Sequence, residues 1–226
     1  MVKNIVLVHG FWADSSSYSK IIPILQKSGY TVVAPQIPLT SIADDVAAVT
    51  RALDLLEDDC LLAGHSYGGI VITNAGTHPR VKGLMYLAAF APEEGETLGG
   101  LLGKFAPTPA LPYFDRKGDF VWLKQEGVRT AFAQDLPEEE ADVIWAVQKT
   151  PAAAIVETPT KSVAWKTRPS WFVLALHDKT ISPDLQKFET ERINAKVLEL
   201  PTSHVPMISK PGEVSKFIAE AADQIG

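Results

Sequence analysis

Ser66 stands in Gly64-His65-Ser66-Tyr67-Gly68, a single serine held between glycines at the end of an apolar run. A serine hydroxyl is a poor nucleophile at neutral pH. It becomes one when a base takes its proton and a third group orients that base. The G-x-S-x-G pattern meets a separate need. On a sharp strand-to-helix turn the serine is held in a strained backbone conformation, and side chains at the flanking positions would collide. The motif alone is weak evidence, but its context strengthens it. CLLAGH, apolar and strand-like, precedes the turn, and IVITNAGTH, a helical pattern, follows it.

Around such an elbow the acid and the histidine come later, in that order, each in a loop after a late strand. Asp178 follows SWFVLAL and His204 follows AKVLEL. The chain has five histidines. His9 and His65 lie at strand ends and are expected to shape the site. His78 ends a helix, where a cation suits the dipole. His177 belongs to the wrong strand end, which leaves His204 as the base. Asp178 is preferred as the acid over Asp184, which reads as the cap of the next helix. Acyl transfer also needs donors aimed at the developing oxyanion. The backbone N–H groups of Tyr67, next to the serine, and of Phe11, in the HGFW loop, are the candidates. Trp12 and Trp122 are candidate walls of a substrate pocket. The scheme needs neither a metal nor an organic cofactor. Cys60 opens an apolar run and reads as a small core residue.

These side chains require a scaffold, and its elements are visible as patterns. Residues 4–9, 31–36, 60–65, 83–90, 170–176 and 195–200 are short, nearly continuous apolar runs, as expected for parallel strands buried on both faces. Ile42, Val46, Val49, Leu53 and Leu56 form one helical stripe, with Ser41 and Asp44 at its start. A helix over 19–28 stops at Gly29, and another over 212–225 closes the pattern. Strand-helix alternation of this kind predicts an α/β fold: about six mostly parallel strands with helices on both faces. The alternation breaks between residues 91 and 166, a stretch rich in proline, glycine and aromatics. It reads as a cap inserted into a core made of 1–90 and 167–226. Within it, Leu136-Pro137-Glu138-Glu139-Glu140 marks a helix start.

The composition is that of a globular protein: of 226 residues, 46% are hydrophobic and 21% charged. A net charge of −6 argues against nucleic-acid binding. No apolar run approaches the ~18 residues that a membrane span needs, so no membrane partner is expected. MVKNIVLVHG reads as a first strand and not as a signal peptide. With a single cysteine, the expectation is a cytoplasmic setting.

VLVHGFW, GHSYGG, YLAAFAP, and D-K-x-I followed by S-H resemble the α/β-hydrolase superfamily. The chain is most similar to the branch that holds plant methyl-ester esterases, hydroxynitrile lyases and small bacterial hydrolases. That resemblance implies a serine carboxylesterase acting on a small apolar or aromatic ester through an acyl-enzyme. The lyases of this branch carry a threonine and a lysine where this chain has Gly10 and Val205, so the resemblance favours the esterases. Ser66 excludes the aspartate chemistry of dehalogenases and epoxide hydrolases. C–C bond hydrolysis, lactone opening, perhydrolysis and slow-turnover ligand sensing remain alternatives for the same residues.

Overall fold

A computed structural model describes residues 2–225. Six strands form one all-parallel sheet: β1 (Asn4–Val8), β2 (Thr31–Val33), β3 (Cys60–His65), β4 (Val81–Leu87), β7 (Ser170–Ala175) and β8 (Lys196–Leu200). Their spatial order is β2-β1-β3-β4-β7-β8. Strands β1, β3 and β7 are buried at every residue, which is why they read as unbroken apolar runs. Cys60 is part of this core, and burial pushes its thiol up to about 12.

Right-handed crossovers decide which face each helix covers. α1 (Ile22–Lys27) links β1 to β2 in one direction along the sheet. α2 (Ile42–Asp54) and α3 (Gly68–Ala75) then run the other way, packed against each other on the opposite face. The final helix, α9 (Pro211–Asp223), returns to pack beside α1. Ser41 caps α2, its hydroxyl accepting from the Asp44 N–H at 3.0 Å. The buried stripe of α2 is Ile42, Asp45, Ala48, Val49 and Leu53. It therefore includes a carboxylate in place of the expected Val46. Because the direction of winding reverses between β1 and β3, the loops leaving their carboxyl ends diverge and open a crevice.

Between β4 and β7 the chain leaves the sheet. This segment holds α4 (Leu98–Leu102), a hairpin of β5 (Phe114–Lys117) and β6 (Phe120–Leu123), the single turn α5 (Gln125–Gly127), a π-helical turn over Val128–Phe132, and α6 (Glu138–Ala146). After β7 come α7 (Pro183–Arg192), β8 and the short α8 (Pro206–Ser209). The segment is tied to the sheet's loops by backbone bonds. Lys149 O accepts from Trp12 N–H, Leu39 O from Ala152 N–H, Lys179 O from Ala110 N–H and Phe132 O from His204 N–H, all at 2.8–3.2 Å. Among the described residues no helix is long and apolar enough to cross a membrane.

Candidate active site

Ser66 sits in the first position after β3, at the crevice. Its φ is 55°, a left-handed conformation that a serine adopts only when its surroundings hold it there. Leu87 O accepts from the Ser66 N–H, and Ser66 O accepts from Gly69 N–H at 2.9 Å and Phe90 N–H at 3.3 Å. The flanking glycines answer a demand for space. A Cβ on Gly64 would lie 2.4 Å from Gly68 O, and one on Gly68 would lie 2.5 Å from Val8 O. Strand β1 and the start of α3 approach too closely for any side chain there.

Asp178 and His204 meet in the loops after β7 and β8. His204 Nδ1 donates to Asp178 Oδ2 at 2.7 Å, and both side chains are fully buried. The carboxylate can only accept, so Nδ1 carries the proton and Nε2 keeps its lone pair. That Nε2 is buried and has no hydrogen-bond partner. Asp178 is itself held from four directions. Oδ1 accepts from the N–H groups of Thr180 (2.7 Å) and Ile181 (3.0 Å), and Oδ2 accepts from Gln186 Nε2 at 2.8 Å as well as from His204.

The expected helper histidines have defined jobs. His65, next to Ser66, donates from Nε2 to the carbonyl of His204 at 2.7 Å, and the two rings lie 4.7 Å apart. This contact joins the serine elbow to the histidine loop. Burial holds His65 well below the ordinary histidine range. His9 accepts from Ile37 N–H at Nε2 (3.2 Å) and donates from Nδ1 to Gly10 O (3.0 Å), which fixes the loop that carries Phe11. Burial pushes it down to about 4, so it too stays neutral. His78 pairs with Asp54 at 3.1 Å, far from this site. Asp184 is not the helix cap. That role falls to Ser182, whose hydroxyl accepts from Leu185 N–H at 3.2 Å, because Pro183 opens α7 one residue later.

Among the described residues, the N–H groups of Phe11 and Tyr67 donate to no protein acceptor. Their rings stack at 4.3 Å, which ties the loop after β1 to the elbow after β3. Beside them is a cavity of about 210 Å³ that includes Ser66, walled by Trp12, Phe90, Phe114 and Val121. Its polar lining is limited to Ser66 and Thr180. Trp12, at φ 54°, is anchored by its indole N–H on Val121 O at 2.9 Å. The structure does not bring Trp122 to this cavity. Side chains alternate along β6, so Val121 faces inward and Trp122 outward, where it is 41% exposed.

Two buried polar residues were absent from the candidate set. Gln186 bonds Asp178, and Asp45 accepts from the Tyr67 hydroxyl at 2.6 Å. Asp45 did leave a signal in the sequence. It lies three residues after Ile42 and four before Val49, a carboxylate in the middle of an apolar stripe.

With this geometry in place, the class is clear: the chain belongs to the alpha/beta hydrolase family, which it matches over residues 5–217. It is similar to a carbendazim-hydrolysing esterase of Nocardioides sp. (strain SG-4G), 37% identical over 127 residues that cover 49% of this chain and 52% of that protein. The match thus spans about half the length of that relative. Methylesterase 1 of Arabidopsis thaliana is 23% identical, with 98% of this chain and 97% of that protein covered. The crystal structure of a pyrethroid hydrolase from Sphingobium faniae JZ-2 superposes with a TM-score of 0.85 at 26% identity, covering 99% of this chain and 98% of the other.

Proposed function

We propose that this protein is a serine carboxylesterase for small apolar or aromatic esters, with Ser66 as nucleophile, His204 as base and Asp178 as the group that orients the base. One observation carries the reading. A serine at positive φ opens into an apolar cavity, and the ring of its chain neighbour His65 lies 4.7 Å from that of buried His204, whose Nδ1 is tied to a carboxylate and whose Nε2 has no partner among the described residues.

In the reaction His204 Nε2 takes the Ser66 proton as Oγ attacks the ester carbonyl carbon. The carbonyl oxygen becomes an oxyanion, held by the Phe11 and Tyr67 N–H groups. Collapse breaks the C–O bond of the alcohol, which leaves with the proton from His204. Water then gives a proton to the same nitrogen as its oxygen attacks the acyl carbon; collapse breaks the bond to Ser66 Oγ, which takes that proton back from His204 as the acid leaves. The Asp178 carboxylate holds the His204 ring in orientation and stabilises the imidazolium. The segment 91–166 acts as the cap, supplying Leu98, Leu102, Leu111 and the hairpin face as walls. Val205, buried next to His204, offers no ammonium for a leaving cyanide, which disfavours lyase chemistry. The lone buried Cys60 supports a cytoplasmic setting.

The test is hydrolysis of p-nitrophenyl esters from acetate to octanoate by wild type and by Ser66→Ala. Wild type turns over short esters, and the alanine variant loses on the order of 10⁶ in kcat. Equal turnover by both proteins, or none by wild type, defeats the proposal.

A further inference from the structure

Asp45 is a charged group that the mechanism above leaves unused. It lies on the buried face of α2 with no exposed surface, in a position where the helix would otherwise place an aliphatic residue. Burying a carboxylate is costly unless donors compensate it. Two do so. Oδ1 accepts from Leu39 N–H at 2.7 Å and Oδ2 from the Tyr67 hydroxyl at 2.6 Å, the length of a charge-assisted O–H···O⁻ bond. Burial raises its pKa, while the hydrogen bonds from Tyr67 and Leu39 act in the opposite sense.

Both partners lead to the reaction centre. Tyr67 follows the nucleophile, and its ring is clamped between the carboxylate at its hydroxyl and the Phe11 ring at its face, 4.3 Å away and inclined by 23°. Phe11 and Tyr67 sit on loops from different strands, so this stack is the side-chain contact that sets one loop against the other. Leu39 adopts φ 62°, and its carbonyl accepts from the N–H of Ala152, a wall of the Ser66 cavity. One carboxylate thus reaches both the elbow and the cavity wall.

We infer that Asp45 is a positioning residue for the oxyanion site: by gripping the Tyr67 hydroxyl it fixes the Tyr67–Phe11 stack, and with it the two backbone N–H groups that face the developing negative charge. The inference rests on the esterase reading above. A donor displaced by a fraction of an ångström stabilises the transition state less while still admitting substrate, so the signature is in kcat.

The experiment compares wild type, Tyr67→Phe, Asp45→Asn and the double variant. Tyr67→Phe keeps the ring and removes only the hydroxyl. Each protein is assayed with p-nitrophenyl butyrate and with two inhibitors of equal chain length. One is a trifluoromethyl ketone, which adds to Ser66 and forms an oxyanion; the other is the matching methyl ketone, which does not. Each single variant is expected to lose about tenfold in kcat with KM within about threefold, less than the ~10²–10³ for deleting a donor outright. Trifluoromethyl ketone affinity falls by the same factor, methyl ketone affinity holds, and the double variant is no worse than the weaker single one. Unchanged kcat with a lowered Tm would make Asp45 a purely structural residue and overturn the inference. So would an equal loss of affinity for both ketones. A wild type that neither hydrolyses the ester nor prefers the trifluoromethyl ketone overturns the esterase reading itself, an outcome distinct from the other two.

Discussion

The loops at the carboxyl edge of the sheet and the segment between β4 and β7 build the same cavity, but only the sheet edge adds hydrogen-bonded polar groups to its apolar walls. The sheet edge contributes Ser66 on its elbow, backed by the hydrogen-bonded pair His204 and Asp178, together with the aromatic walls Phe11, Trp12 and Phe90. The segment contributes apolar walls such as Leu98, Leu102, Phe114 and Val121. Bond-making groups need fixed directions, which a parallel sheet with short loops provides. Walls need only shape, and shape can change without moving the hydrogen-bonded groups. Substitutions at the sheet edge should therefore affect every ester alike, and substitutions in the segment should change which ester is preferred.

The strongest test of that division is Asp178→Asn. Replacing the carboxylate that orients a catalytic imidazole costs roughly 10⁴ in kcat in comparable triads. Steady-state assays should give a similar factor for acetate and octanoate esters; a factor that depends on chain length would blur the distinction. Next in size is Ala152→Phe, which fills the cavity from the segment side. Octanoate turnover should fall at least about tenfold relative to acetate, in keeping with the few kcal/mol that a pocket wall can discriminate. Uniform loss across the series would place the segment among the bond-making groups.

A third prediction concerns stability on the segment's outer seam. Glu189 on α7 is fully buried, and the Arg192 guanidinium stands 3.5 Å from its Oε2. Burial pushes its pKa up to about 8 from an ordinary 4.5. The folded protein therefore holds a proton that the unfolded chain releases between those values, and stability falls as pH rises through that window. Glu189→Gln removes the titration. Thermal melts should show the variant gaining several degrees over wild type at pH 9 and less at pH 5; a pH-independent difference refutes the assignment. The smallest effect belongs to Trp122→Ala. Its ring faces solvent, so kcat/KM for the whole ester series should stay within about twofold. A selective loss for one ester would return Trp122 to the pocket.

How much of this was legible in the sequence follows the same division. Parallel strands buried on both faces leave continuous apolar runs, so all six were visible; β4 starts at Val81, two residues before its pattern, and ends at Leu87, short of it, because the chain turns away at Ala88, φ 44°. The positions of Ser66, Asp178 and His204 were legible because each comes shortly after a strand end. The segment between β4 and β7 was legible only as a change in composition. Its elements are short, and what fixes them is pairing with distant residues, as Ala152 pairs with Leu39. Trp122 was drawn into the candidate pocket because aromatic character says nothing about which face of a hairpin a residue occupies. Gln186 was invisible for a related reason. A glutamine on a helix reads as solvated until the loop holding Asp178 is seen to lie against it.

The backbone stitches between the segment and the sheet's loops have a consequence for timing. Lifting the segment as one body would break the bonds at Trp12, Leu39, Lys179 and His204 together, at about 1 kcal/mol apiece, and would also wet the apolar walls. Entry that leaves those bonds intact would have to pass side chains at the cavity rim, such as Leu111, which is half-exposed. Such side chains reorient in picoseconds to nanoseconds, orders of magnitude faster than a hinge.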